Sequence, residues 1–143
     1  MTSIIRCIVA VVFVLFLGGC TPDTPPTTTF TTHMHLDGSE LQLIKATSQE
    51  QFFDLASELP TLNDNKGIWY VLDKDGITCI GMQYTTQNVE VAFLNADNQI
   101  TEFSHLKAHG SSGCPHQEIR SILELPDKWL DQHHVSIGSR LTN

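Results

Sequence analysis

Between residues 41 and 142 the apolar positions come in short bursts separated by polar, turn-forming residues, which is the pattern of a β-rich chain. Leu41-Gln-Leu-Ile-Lys45 alternates as a half-buried strand does. Thr47-Ser-Gln-Glu50 has capping-box spacing, and Phe52, Phe53, Leu55, Ala56 and Leu59 follow at helical spacing. A helix is therefore expected over about 48–59, stopped by Pro60. Gly67 to Leu72 is apolar and aromatic, and Asp73-Lys-Asp-Gly76 has hairpin chemistry, so Ile77 to Tyr84 is expected to return as its partner strand. Val89 to Leu94 and Gln99 to His105 read as a second hairpin around Asn95-Ala-Asp-Asn98. Residues 106–117 form a Gly/Ser-rich loop. Ile119 to Leu125 reads as a strand, Pro126 to Leu130 as a short helix, and Val135 to Leu141 as a last strand. Many short strands with regular turns predict a mainly β chain (α+β minor). The expected form is a compact antiparallel β-sandwich or barrel, jelly-roll-like, with one or two short helices.

The first residues, MTSIIRCIVAVVFVLFLGGC, follow a different logic. Arg6 gives a positive start, and Cys7 to Leu17 is an unbroken run of 11 apolar residues. A bilayer span needs about 20, so this run reads as a secretory signal. Leu17-Gly-Gly-Cys20 resembles a bacterial lipobox. The expectation is that residues 1–19 are a lipoprotein signal peptide that is removed, and that Cys20 carries the lipid (palmitate among its chains). Acyl chains gain about 0.8 kcal/mol per buried CH₂, so the anchor would hold the protein at the membrane. Thr21, in place of an aspartate, favours the outer membrane, facing the periplasm. Residues 20–38 are expected to be the lipidated cysteine and a disordered Thr/Pro tether, because TPDTPPTTTFTTHMH has almost nothing to bury. Residues 39–143 are then the folded domain.

Charge narrows the partners. The chain has 8 Lys+Arg against 16 Asp+Glu and a formal net charge of −8, and loss of Arg6 with the signal makes it more acidic still. No cluster of basic residues exists, which argues against a nucleic-acid partner. After Cys7 and Cys20, two cysteines remain, Cys79 and Cys114. Two readings stay open: a disulfide between them, or two separate thiols.

Candidate chemistry is sparse. His105, His109, Cys114 and His116 flank the Gly/Ser loop and are ligand types that suit zinc and copper, although their spacing matches no standard finger. His33-Met34-His35 is a copper-like triplet in the tether. His133-His134 ends the last helix, where positive charge is favourable. Cys114 beside His109 or His116 could form a thiolate–imidazole pair for hydrolysis. Ser111-Ser112-Gly113 is no nucleophile elbow, and phosphate, dinucleotide and calcium loops are not found. Trp69, Tyr70, Phe93, Phe103 and Trp129 read mostly as core, with Trp69 as a residue that could face a groove.

The C-terminal half carries a family resemblance. Val89-Glu-Val-Ala-Phe-Leu-Asn-Ala-Asp-Asn-Gln-Ile100 resembles the "LDI-F-D-DG-V" hairpin of the bacterial and archaeal domain of unknown function 192 family. Ile119-Arg-Ser-Ile-Leu-Glu-Leu-Pro126, Trp129-Leu130 and Val135 to Leu141 resemble its "A-YVLELP-GW" and "G-GD-L" block, and Cys114-Pro115 sits where many members carry Cys-Pro. The resemblance implies a jelly-roll-like β-domain over about 40–142 and no established reaction. The family's aromatic-Trp-Met-x-Asn-Thr string, with Pro-Leu-Asp after it, falls on residues 80–85 and 88–90. Met82 and Thr85 are kept and Glu90 supplies the acid, so these three are a candidate family surface, while the Trp and Asn are missing, as in a divergent member. The combined expectation is a membrane-anchored lipoprotein without enzymatic activity or a required cofactor. It would serve as a periplasmic interaction or ligand-binding module for an envelope protein or small ligand. The alternative is a copper- or zinc-binding envelope protein using the 105–116 loop.

Overall fold

The computed structural model describes residues 30–58, 62, 64–83 and 85–143. The signal segment 1–19, Cys20 and tether residues 21–29 lie outside the described residues, as does Tyr84.

The first strand, β1 (Thr32–Leu36), falls inside the stretch expected to be a disordered tether. It pairs antiparallel with β2 (Ser39–Ala46) across Asp37 and Gly38, whose φ values of 49° and 83° are those of a type I′ hairpin turn. The tether reading for residues 32–38 is thus corrected. Met34 and Leu36 alternate with exposed His33 and His35, and two buried apolar residues with an Asp-Gly turn suffice to dock a short strand.

Helix α1 (Gln49–Glu58) follows, one residue later than the expected start. Its cap is Ser48, whose Oγ accepts the Gln51 N–H at 3.1 Å, while Gln51 Oε1 reaches back to the Thr47 N–H at 3.0 Å. The helix is a crossover: β2 and β3 (Lys66–Gly76) are parallel, the one departure from an otherwise antiparallel sheet.

Strand β3 does not turn at Asp73-Lys-Asp-Gly76. It continues to Gly76, pairing with Ile119 of β8 (Ile119–Pro126) after a register shift beyond Val71. Arg120 Nε donates to Asp75 Oδ1 at 2.6 Å, which keeps the extension on its neighbour. The expected strand 77–84 shrinks to β4 (Ile80–Gly81), which pairs with β7 (Ser112–Gly113) in a separate two-stranded sheet. The hairpin β5 (Val89–Leu94) and β6 (Ile100–Leu106) forms as expected. The short helix is α2 (Trp129–Gln132), and the last strand is only β9 (Leu141–Thr142), because residues 135–140 are spent on turns around Gly138 (φ 98°).

The seven-stranded sheet has the order β6-β5-β8-β3-β2-β1-β9 and curls into a half-barrel. Its two edges meet at one end, where Ile100 N donates to Ser139 O at 2.8 Å and Leu141 N to Asn98 O at 2.9 Å. Curling removes part of the exposed edge that a flat sheet would present. Period-two alternation sorts the apolar residues onto two faces. Leu41, Leu43, Ala92, Leu94, Leu123 and Leu125 pack with Trp129 and Leu130 on one side. Ile68, Tyr70, Val91, Phe93 and Ile122 pack with Phe52 and Met82 on the other. Among the described residues no helix is long and apolar enough to cross a membrane.

Candidate functional site

A cleft opens between α1 and residues 79–83 with Thr85. Phe52 is buried and stacks on Tyr70 at 5.4 Å, whereas its neighbour Phe53 remains 38% exposed at the mouth. Burying a side chain of this size contributes about 1.5–3 kcal/mol, enough to hold the helix against the sheet. The opposite wall is braced from three directions. Met82 N donates to Ser111 O at 2.9 Å, His109 N donates to Met82 O at 3.0 Å, and a Cys79–Cys114 disulfide joins the wall to the β7 loop. Thr85 Oγ1 donates to Met82 O at 3.2 Å. Between the walls is a cavity of ≈190 Å³ lined by Phe52, Phe53, Asp54, Ala56, Ser57, Ile80, Gly81, Met82, Thr85 and Glu124. A second hollow of ≈510 Å³ shares Phe53, Ile80 and Gly81 with it and reaches Cys79, Gln83 and Ser112.

Glu124 is the chemical feature of this cleft. It stands on the central strand β8, between Ile68 of β3 and Val91 of β5, and is 2% exposed. Its Oε2 is buried with no hydrogen-bond partner among the described residues. Burial pushes its carboxyl up to about 7, because the apolar surroundings penalise the anion. Gly67 on the adjacent strand permits the close approach: a Cβ there would sit 2.6 Å from the Glu124 carbonyl oxygen. Among the described residues Asp54 is the other ionisable group of the lining, and no basic side chain lines either hollow. Such a cleft suits an apolar molecule that offers a hydrogen-bond donor or a positive charge, and it repels anions.

The expected surface of Met82, Thr85 and Glu90 is split by the fold. Met82 and Thr85 line the cleft, but Glu90 lies on the other side of the sheet. There Glu90 is fully buried and its Oε2 accepts the Leu130 N–H at 2.6 Å. Burial raises the Glu90 pKa, and the Leu130 N–H and His105 partly counter that while Asp131 and Asp127 add to it.

The loop quartet is not brought together, which corrects the expected metal site. His105 faces Glu90 at 2.9 Å, and His116 Nδ1 lies 2.8 Å from Glu102 Oε2 with its side chain 94% exposed. Burial acts to raise the Glu102 pKa, but the His116 ring and backbone N–H outweigh it and the net shift is downward. His109 adopts φ 64° in its turn, and Cys114 is bonded to Cys79, so its sulfur is neither a free ligand nor a nucleophile. The disulfide also decides between the two cysteine readings and removes the thiolate–imidazole pair. In the His33-Met34-His35 triplet Met34 is buried while both imidazoles point the other way, so three donors cannot converge. His133 stacks on Trp129 at 3.9 Å, and its Nδ1 lies 2.8 Å from the Trp129 carbonyl oxygen. Trp69 is not in the cleft; it packs at the edge of the core on the Trp129 side, with the Lys45 ammonium 5.2 Å above its ring. Phe103, expected in the core, is 36% exposed.

Glu124, Phe52 and Phe53 do not stand out as site residues in the sequence. A signal was present for the first: Ile122-Leu123-Glu124-Leu125 places one acid inside an otherwise apolar run, and a buried acid without a partner is a marker of function.

Two solved structures share the fold. A protein from Sinorhizobium meliloti provisionally described as a transcription regulator superposes with a TM-score of 0.72 at 17% identity, over 76% of this chain and 90% of that one. A protein of unknown function from Novosphingobium aromaticivorans superposes with a TM-score of 0.71 at 10% identity, over 78% of this chain and 84% of that one. No curated protein matches the chain at significant similarity. The model of the domain of unknown function 192 family, described as an uncharacterized ACR, matches residues 32–143, which takes in β1 and every element after it. The chain belongs to the domain of unknown function 192 family.

Proposed function

We propose that this protein is a lipid-anchored envelope module that binds a small apolar ligand carrying a hydrogen-bond donor, an ammonium group being the preferred form. The observation that carries the reading is Glu124: a carboxyl with an unpartnered buried oxygen at a cavity otherwise lined largely by Phe52, Phe53, Ile80, Met82 and Thr85. Leaving such an atom unpaired costs about 1–3 kcal/mol, and a ligand donor would recover it. The cavity of ≈190 Å³ has room for about six water-sized atoms at about 30 Å³ each, the scale of a short alkylamine or amide. The larger neighbouring hollow could take an extension past Phe53. Anchoring rests on the lipobox-like Leu17-Gly-Gly-Cys20, which would put the domain at the outer membrane, facing the periplasm. The absence of a basic cluster in a chain of net charge −8 argues against direct nucleic-acid binding, and so against a DNA-bound form of the transcription regulation provisionally given to the Sinorhizobium meliloti protein. A non-enzymatic role is favoured by the Cys79–Cys114 disulfide, which removes the thiol nucleophile of this region.

The test is an amide-resolved NMR titration of the protein with hexylamine and, in parallel, hexanoate. Hexylamine is expected to shift the Gly81, Met82 and Thr85 signals, to bind about tenfold or more weaker to Glu124→Gln, and hexanoate is expected to leave them in place. Equal effects of both ligands, or equal binding to the variant, would contradict the reading.

A further inference from the structure

Glu90 and His105 occupy paired positions on β5 and β6, so their side chains leave the sheet on the same face, away from the Glu124 cleft. Helix α2 brings Asp131 to them. One ligand atom from each of Glu90, His105 and Asp131 lies within 4.8 Å of the other two. The Glu90 carboxylate is fully buried and fixed by the Leu130 N–H, while His105 and Asp131 are exposed, so the group is open to solvent on one side. Phe103 meets the His105 ring edge-on at 6.1 Å.

A second observation points to a ligand. Glu90 Oε1 is buried and takes part in no hydrogen bond among the described residues, although His105 Nδ1 is only 2.9 Å away. The two atoms are close without the alignment that a hydrogen bond needs. A carboxylate oxygen left like this is costly, and Asp131 and Asp127 add negative charge to the same spot. A cation placed among the three side chains would satisfy the oxygen and offset the repulsion.

We propose that Glu90, His105 and Asp131 form a binding site for a divalent transition-metal ion of the zinc class. One imidazole and two carboxylates are donors that Zn²⁺ accepts, with Zn–N of about 2.0–2.1 Å and Zn–O of about 2.0–2.2 Å. Closing on the ion requires His105 and Asp131 to move inward, which exposed side chains can do, while Glu90 serves as the fixed ligand. Three protein ligands leave one position for water or for a group from a partner. This site shares only His105 with the loop quartet, and it is independent of the cleft.

The experiment is titration of the full chain with Zn²⁺ by calorimetry, with native mass spectrometry for stoichiometry. The expected result is one Zn²⁺ per chain, at least tenfold weaker in His105→Ala and in Asp131→Asn and unchanged in His116→Ala and His33→Ala. These four substitutions are at exposed histidines or an exposed aspartate, so loss of folding does not confound them, and circular dichroism checks each. Absence of stoichiometric Zn²⁺, binding unaffected by His105→Ala and Asp131→Asn, or loss of binding in His116→Ala or His33→Ala would overturn the proposal.

Discussion

Glu90 and Glu124 stand one register position apart on paired strands, Glu90 opposite Leu125 and Val91 opposite Glu124, and so they face opposite sides of the sheet. Both are buried acids on central strands, yet their surroundings differ. Glu90 is held by the Leu130 N–H and faces His105, whereas Glu124 meets only the cleft. A chain that buries two carboxyls in one sheet loses stability that apolar residues would supply. That loss is the physical reason to look for ligands at both.

The Glu124 carboxyl makes stability depend on pH in a defined direction. Its folded pKa of about 7 lies above the ordinary value of 4.5, so the folded state holds the proton more tightly than the unfolded one. Below pH 4.5 both states are protonated and the group contributes no difference. Between pH 4.5 and about 7 stability falls as the unfolded chain ionises first, and above that range the full penalty of roughly 3 kcal/mol is present. Asp54 is the other titratable group facing the cleft. Urea denaturation of wild type and Glu124→Gln across this range should therefore show the variant gaining stability over wild type as pH rises, then levelling off. Parallel curves would contradict the assignment.

The Cys79–Cys114 disulfide closes a loop with a sequence separation of 35 and ties the cleft wall to β7. Reduction, or the Cys79→Ala/Cys114→Ala double variant, is expected to lower stability by about 2–4 kcal/mol in thermal or urea unfolding. Thiol titration of the native chain should find neither cysteine reactive before reduction.

Gly67→Ala tests how the floor of the cleft is built. The added methyl would lie 2.6 Å from the Glu124 carbonyl oxygen, a backbone atom that cannot rotate away, and 3.0 and 3.1 Å from the Leu125 and Leu43 side chains. Separation of β3 from β8 should cost about 1–3 kcal/mol, and Ala at exposed Gly110, where a Cβ meets nothing within 4 Å, should not. Equal effects of the two substitutions in chemical denaturation would refute the close approach.

Much of this architecture was legible from residue patterns. The β5–β6 hairpin is written in Val89 to His105, and the helix in the apolar spacing after Thr47, although its cap is Ser48 with Gln51, one residue beyond the expected Thr47–Glu50 box. Two stretches were misread for different reasons: a distant partner strand overrides the turn chemistry of Asp75-Gly76, whereas the Asp37-Gly38 turn was hidden in a Thr-rich stretch with few apolar residues. Asp75-Gly76 stays extended because β8 offers Ile119 and Arg120, while Asp37-Gly38 turns because β1 and β2 have apolar faces to share. The site was harder to read. Glu124, Met82 and Phe52 are far apart in sequence and meet only after α1 crosses from β2 to β3. The histidines of 105–116 looked like a cluster, but strand alternation and the disulfide turn them to different partners.

The central claim is that Glu124 is the recognition group of a ligand cleft. Its most direct test is a ¹³C NMR titration of the Glu124 side-chain carboxyl, with and without hexylamine. The account predicts a midpoint of about 7 in the free protein, moving down when the amine binds because the ammonium favours the carboxylate. A midpoint in the ordinary glutamate range, or one that the amine leaves unmoved, would contradict it.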